Sequence, residues 1–404
     1  MISINQNLCD RCGLCVTACP FGAIDKDEKF NINVACKGCN LCMTVCKCGA
    51  IGKDAALPQT LNKAEYKDIL IYAEHVDGKI SPVTFELIGK ARELAKCVNQ
   101  QVKCLYIGSE LDKKSADDLL DYGTHTIFAY LHADLEHYRS DTYTNVFADC
   151  VKQSNPTAVL VGGTSIGRSL APRVATRCQT GLTADCTGLT MRKNTDLVQT
   201  RPAFGGNVMA QIVTTKHRPQ FATVRPNVLD LPQKVKPFGT VLNMPVNSTM
   251  LQSGINLSNV RKKPVVKSIE QASCLIVAGN AFKNVREMDM LYDLAELLGG
   301  RVAASRPVIE AGLADHTMQI GLSGRTVRPK LIITCGISGA VQFVAGMKAS
   351  EHIFAINTNA EAPIMKIANY AAVGDVFEVV PSLIERIKGN VQSKIGNDKS
   401  RTAN

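Results

Sequence analysis

The sequence predicts an α/β protein: a small cysteine-rich α+β module followed by two doubly wound parallel-sheet domains. Three observations lead there. Eight cysteines in the first 46 residues form two copies of one spacing. From Asp68 onward, apolar strand-like runs alternate with helical periodicity and glycines fall at the strand ends, the pattern of a parallel sheet. After an irregular stretch, the same alternation begins again near Leu275.

The cysteine pattern is the sharpest signal. Its first copy is Cys9-x2-Cys12-x2-Cys15-x3-Cys19-Pro20 and its second is Cys36-x2-Cys39-x2-Cys42-x3-Cys46. A C-x2-C-x2-C loop wraps three thiolates round one [4Fe–4S] cube, and the fourth cysteine of each run reaches the other cube. The spacing therefore assigns Cys9, Cys12, Cys15 and Cys46 to one cluster, and Cys36, Cys39, Cys42 and Cys19 to the other. Zinc is the competing reading, but a zinc ribbon uses four cysteines with a long gap rather than two unbroken four-cysteine runs. Cys48, two residues past Cys46, competes for the fourth position; Cys46 fits the spacing better. Gly13 and Gly38 lie inside the ligand loops, where a cube approaches the backbone closely. Residues 1–58 thus read as a ferredoxin-like domain with two [4Fe–4S] clusters, and 59–67 as a linker.

Composition narrows the class. At 45% hydrophobic and 20% charged, 404 residues suit two or three globular domains. The remaining cysteines, Cys48, Cys97, Cys104, Cys150, Cys178, Cys186, Cys274 and Cys335, are scattered singly, as reduced structural thiols are. With no signal-like N-terminus, this points to the cytoplasm. No apolar run approaches the ~18 residues of a membrane span. The formal net charge of +10 would permit nucleic-acid binding, but no recognised motif supports it, and the clusters carry negative charge that lowers it.

In the first alternating region, Asp68–Tyr72, Val102–Ile107 and Ala158–Val161 read as strands and Thr84–Ala95 as a helix; Gly162 to Arg168 turns into a further helix. Short β-rich runs fill 200–231, and Pro237 to Pro264 reads as an irregular inter-domain connection. In the second region the strands are Leu275–Gly279, Val302–Ser305, Leu331–Thr334 and Ile353–Asn357, and a short helix leads on to the run Ala372–Val376. Helices are expected at Arg286–Leu298, after Gly336 through about Lys348, at Ala362–Ala368 and from near Pro381; residues 390–404 read as a flexible tail. The domains are 68–255 and 256–389.

Ligands of doubly wound sheets bind outside the carboxyl ends of the strands. Those ends carry Ser305-Arg306, Gly336-Ile337-Ser338-Gly339, Asn357 and Gly374-Asp375. Backbone amides at Ser338-Gly339 opening a helix would hold a pyrophosphate, and Asn and Asp suit ribose or ribityl hydroxyls. The bland alternative is that the glycines are turn residues; no GxGxxG fingerprint is present.

The run Leu322-Ser323-Gly324-Arg325-Thr326-Val327-Arg328-Pro329-Lys330-Leu331, followed by Cys335-Gly336-Ile337-Ser338-Gly339-Ala340-Val341-Gln342-Phe343, resembles the alpha subunit of electron transfer flavoproteins. So do Asn357 to Pro381, Gly163 to Arg173 and Thr180 to Thr187. The resemblance covers about residues 68–388. With the N-terminal module, the chain is most similar to alpha subunits of flavin-based electron-bifurcating complexes of the caffeyl-CoA reductase–Etf type. The resemblance implies FAD in the last domain, at Ser305, Arg306, Ile320, Gly321, Leu322, Ser323, Ser338, Gly339, Ala340, Val341, Gln342, Phe343, Asn357, Asp375 and Val376. It places Arg306 near the isoalloxazine, where its charge favours reduced, anionic flavin. Two departures stand out. Phe343 replaces a histidine that donates to the flavin's pyrimidine edge, so a less stabilised anionic one-electron-reduced flavin is expected. Gly279-Asn280-Ala281 replaces a Gly-Gly-Arg, which puts one phosphate or adenine contact in doubt.

No residue looks like an acid, base or nucleophile acting on a substrate, and the seven histidines sit in no triad or metal spacing. The expected role is an electron-transferring subunit. The resemblance supplies its partners: an Etf beta subunit holding a second FAD and the NADH site, an acyl-CoA dehydrogenase-like protein, and a soluble ferredoxin. The Gly162–Arg168 loop then faces the beta subunit rather than a nucleotide. A non-bifurcating alpha subunit linked to ferredoxin or quinone is the second hypothesis, and a non-catalytic iron–sulfur redox sensor the third.

Overall fold

The computed structural model describes residues 2–26, 29–33, 36, 39–53, 61–206, 208–261 and 268–401. It divides into two compact units, Met1–Asn62 and Lys63–Asn404.

In the first unit, β1 (Ile2–Ile4) leads to α1 (Leu14–Ala18), β2 (Ile24–Lys26), β3 (Phe30–Ile32), α2 (Leu41–Val45) and β4 (Ile51–Lys53). β1 pairs antiparallel with β4, and β2 with β3, so each half contributes one helix and each short ribbon joins a strand from one half to a strand from the other. The small core joins Ile24, Phe30 and Ile51 with Cys15 and Cys42, so folding itself turns those two sulfurs inward. Gly38, residues 54–58 of the expected cluster module and residues 59–60 of the expected linker lie outside the described residues.

The second unit begins with β5 (Ile69–Tyr72), a small hairpin of β6 (His75–Val76) and β7 (Lys79–Ile80), α3 (Pro82–Val98), β8 (Val102–Gly108), α4 (Lys113–Asp121) and β9 (Thr126–Leu131). There follow α5 (Ser140–Ser154), β10 (Ala158–Gly162), α6 (Ser165–Arg177) and β11 (Leu182–Cys186). An antiparallel ribbon of β12 (Gly188–Met191), β13 (Leu197–Ala203) and β14 (Val208–Ile212) precedes β15 (Gln220–Val224), β16 (Thr240–Met244) and α7 (Ser248–Leu251). Seven strands form one parallel sheet in the order β11-β15-β10-β5-β8-β9-β16. Every residue of β5, β10 and β15 is buried, as expected of strands covered on both faces. α3 covers one face with the stripe Val83, Leu87, Ala91, Leu94 and Ala95; α5 and α6 cover the other.

The second sheet contains β17 (Cys274–Ala278), β18 (Arg301–Ala304), β19 (Leu331–Cys335), β20 (His352–Asn357) and β21 (Tyr370–Val373), all parallel, in the order β18-β17-β19-β20-β21. The intervening helices are α8 (Asp289–Leu297), α9 (Arg306–Glu310), α10 (Val341–Val344), α11 (Pro363–Ile367) and α12 (Val376–Arg401). α8 and α12 pack on one face, α10 and α11 on the other. Among the described residues no helix is long and apolar enough to cross a membrane.

Four expectations need correction. The stretch expected to be an irregular connection contributes β16, which pairs with β9 at the sheet edge; its side chains are mostly exposed, so no apolar pattern announces it. The helix expected after Gly336 through Lys348 is the single turn α10. The last helix starts at Val376 rather than near Pro381, because Asp375 Oδ1 accepts the Phe377 N–H at 3.0 Å and caps it early. The same helix continues to Arg401, where a flexible tail was expected.

At the middle of the second sheet two backbones touch. Gly279 N–H donates to Cys335 O at 2.8 Å, and a Cβ at Gly279 would overlap the carbonyl oxygen of Gly336. We expect Gly279→Ala to cost about 1–3 kcal/mol, read as a thermal midpoint several degrees lower by calorimetry. An unchanged midpoint would show that the two loops part easily.

Candidate functional site

Two thiol clusters stand in the first unit. α1 follows Gly13 (φ 76°) and α2 follows Asn40 (φ 65°), both in the left-handed region, so each chain turns sharply just before presenting Cys15 or Cys42. One cavity is lined by Cys9, Cys12, Cys15, Cys46 and Cys48; a second by Cys19, Cys36, Cys39 and Cys42. Each four-cysteine run thus sends its last member to the cavity lined by the other run. Burial pushes the thiols of Cys15 and Cys42 up, and the neighbouring sulfurs of their own cavities add to the shift. A zinc site built from four thiolates, with Zn–S near 2.3 Å, needs its sulfurs about 3.8 Å apart. Among the described residues no three Cys, His, Asp or Glu side chains converge to hold a single ion.

The second constellation lies along the carboxyl edge of the five-stranded sheet. In the order β18-β17-β19-β20-β21, the chain leaves β17 and β19 toward opposite sides, which opens a crevice at their ends. A continuous series of contacts joins the candidates there. Ile320 N–H donates to Ala304 O at 3.0 Å, bringing the Ile320–Ser323 loop beside Ser305 and Arg306. Leu322 N–H donates to Gln342 O at 2.9 Å, tying that loop to Ala340–Phe343. Asn357 Nδ2 donates to Ile337 O at 2.7 Å, next to Ser338 and Gly339. Gly374 N–H donates to Asn357 O at 3.1 Å, which places Asp375 alongside.

Not every candidate turns its side chain to that edge. Ile320 and Phe343 are packed in the core under the sheet, and Val376 in the core on the other face. Arg306 is exposed and pairs with Glu310 at 2.7 Å. Ser323 accepts from Gln319 Nε2 at 2.8 Å. Ser305 is buried, yet among the described residues its Oγ has no hydrogen-bond partner, an orphan a bound polar ligand would satisfy. Gly339, at φ 86°, lies so close to Ile364 that a side chain would not fit. A bare backbone and an orphaned hydroxyl along one sheet edge suit the phosphate and ribityl parts of a dinucleotide.

Family comparisons add to this geometry. The electron transfer flavoprotein domain matches residues 69–246, the electron transfer flavoprotein FAD-binding domain residues 268–348, and the 4Fe-4S binding domain residues 2–25. The lactate dehydrogenase (NAD(+),ferredoxin) subunit LctC of Acetobacterium woodii is 47% identical over 378 residues, which cover 93% of this chain and 90% of that protein. The chain belongs to the electron transfer flavoprotein alpha-subunit family. The alpha subunit of Clostridium acetobutylicum is 42% identical, with 81% of this chain and 99% of that protein aligned. Protein FixB of Rhizobium meliloti is 36% identical, with 80% and 93% aligned. This family member therefore carries an FAD-binding domain and a 4Fe-4S motif in one chain.

The Gly162–Arg168 loop, the remaining sequence candidate, opens α6: Thr164 Oγ1 accepts Gly167 N–H at 3.0 Å and donates to Glu74 at 2.6 Å. Beside it, a cavity of about 560 Å³ extends to Glu86, Arg225, Glu270 and Arg325, between the two sheets. Sequence reasoning missed Glu86. Its position in the apolar stripe of α3 was the available signal. It is 6% exposed; Oε1 accepts Asn227 N–H at 3.1 Å, and among the described residues Oε2 has no hydrogen-bond partner. Burial, the largest cause, pushes its carboxyl up to about 7. A raised carboxyl favours the folded state below its unfolded value of 4.5, and that contribution is lost as pH rises through about 7. Glu86→Gln should match the parent near pH 5 and exceed its stability at pH 8 by roughly 1–3 kcal/mol. Equal denaturation midpoints at both pH values would contradict the assigned burial cost.

Proposed function

We propose that this chain is the electron-relaying alpha subunit of a flavin-based bifurcating oxidoreductase. Cys9, Cys12, Cys15 and Cys46 hold one [4Fe–4S] cluster, and Cys36, Cys39, Cys42 and Cys19 the other. FAD lies along the edge from Ser305 to Asp375. Bound there, FAD exchanges electrons singly or in pairs, whereas each cluster carries one at a time. The chain's own residues bind and tune. Ser305 offers a buried hydroxyl, and Ser338-Gly339 a bare backbone for phosphate. Asn357 and Asp375 suit sugar hydroxyls. The Arg306 guanidinium, held by Glu310, supplies positive charge at the flavin ring. Phe343 contributes packing and no donor, so this site stabilises negative charge on the ring less than a histidine would.

The partners in this reading are an Etf beta subunit with the second FAD and the NADH site, a soluble ferredoxin, and an acyl-CoA dehydrogenase- or reductase-like protein. A second reading of the last partner comes from LctC, whose name makes it a subunit of a lactate dehydrogenase using NAD(+) and ferredoxin. A 2-hydroxy acid would then replace the acyl-CoA. One observation carries the proposal: a single chain pairs two cysteine-lined cavities with an FAD-binding domain.

Purification with native partners under anaerobic conditions should give about eight irons and one FAD for this chain. Zinc in place of iron, or no FAD, would sink the reading. NADH should reduce the assembled complex quickly only when both a low- and a high-potential acceptor are present. Fast reduction with the high-potential acceptor alone would indicate an ordinary alpha subunit. In a redox titration, Phe343→His should widen the potential range over which the one-electron-reduced flavin accumulates; an unchanged range would remove Phe343 from the flavin's surroundings.

A further inference from the structure

The two halves of the cysteine unit differ at one telling position. Each fourth cysteine opens a tight turn closed by glycine. Gly22 N–H donates to Cys19 O at 3.4 Å, and Gly49 N–H to Cys46 O at 3.3 Å, with both glycines at positive φ. The third residue of the first turn is Phe21, which lines the Cys19 cavity. The third residue of the second turn is Cys48, which lines the Cys46 cavity. Cys48 Sγ stands 3.6 Å from Cys46 Sγ and 3.8 Å from Asp10 Oδ1. Asp10 belongs to the ligand loop, where its carboxylate accepts Cys12 N–H at 3.2 Å. Among the described residues, five thiols therefore face one cavity and four face the other.

A cube offers four iron corners and takes one thiolate at each. Cys9, Cys12 and Cys15 come from one short loop and occupy three. The fourth corner is addressed by two sulfurs on one turn. We propose that Cys48 is an interchangeable fourth ligand of this cube, a second thiolate that the other cube lacks. The exchange balances without a redox partner: the Fe–S bond to Cys46 breaks, one to Cys48 forms, and the Cys48 proton passes to Cys46. No net charge or electron is gained. The chain thus holds one cube whose fourth corner survives loss of a ligand and one whose corner does not. This rests on the two-cluster reading above.

The test uses the full chain, assembled anaerobically with its beta partner, in five forms: parent, C46A, C48A, C19A and C46A/C48A. Iron, sulfide and flavin are counted and the oxidised protein is examined by electron paramagnetic resonance. C46A should keep about eight irons, with a changed line shape for one reduced cluster. The double variant should lose about one iron and show a three-iron signal when oxidised. C19A, whose turn offers Phe21 instead, should lose iron as the double variant does. C46A losing iron as readily as C19A would overturn the proposal. Unchanged flavin content checks that the rest of the chain is folded. Should the parent hold only about four irons, the two-cluster reading fails. The proposal then stands if those irons survive in C46A and are lost in the double variant, and falls otherwise.

Discussion

The C-terminal part of this molecule depends on the close approach of two backbones, Gly279 after β17 and Gly336 after β19. Parallel strands need crossover helices, and here the crossovers leave the two adjacent strands on opposite sides. The crevice that results is a property of connectivity rather than of any side chain. It is narrow only because neither glycine carries a Cβ. The candidate flavin residues are then arranged around it by main-chain bonds: Ile320 to Ala304, Leu322 to Gln342, Gly374 to Asn357. Side chains at this edge have little positioning to do, and several of them, Phe343 and Ile320 among them, are free to serve the core.

In the N-terminal unit the balance is reversed. Its apolar core is small, and Cys15 and Cys42 are part of it. Burial raises both thiols, which means that their ionised forms are disfavoured in the bare protein. In the proposed reading, an iron–sulfur group held by these cysteines would remove that penalty, since metal binding and folding share one free energy. The same groups would then stabilise the unit and carry its electrons, and composition alone would not predict a fold for so short a stretch.

How much of this could be read beforehand follows from where the signal resides. Cysteine spacing is local and geometric, so the partition of Cys19 and Cys46 between cavities was legible. Buried parallel strands are continuous apolar runs, so Leu331–Cys335 and Ile69–Tyr72 were legible too. β16 was not: an exposed edge strand is defined by backbone pairing with β9, and Thr-Val-Leu-Asn-Met between prolines resembles a loop. The start of α12 was misread because Pro381 looks like a beginning, whereas the Asp375 cap outweighs the one backbone bond that the proline forgoes. The burial of Glu86 could be read from its place in the stripe of α3, but its polar partner could not, because Asn227 is distant in sequence.

The junction of the two sheets connects these findings. Arg225 Nη2 donates to Leu322 O at 3.2 Å, and Asn227 Nδ2 to Thr326 O at 2.9 Å. Arg328 pairs with Asp230 at 2.7 Å. All three reach from the segment after β15 to the loop that begins with the flavin candidates Ile320–Ser323. Asn227 also caps one oxygen of Glu86 through its backbone N–H. The loop therefore answers to two constraints, main-chain bonds to β18 and α10 on one side and polar bonds to the first sheet on the other. Each such bond contributes only about 1 kcal/mol net. The buried carboxyl of Glu86 meets this network at Asn227, whose main chain bonds Glu86 while its side chain bonds Thr326 in the loop.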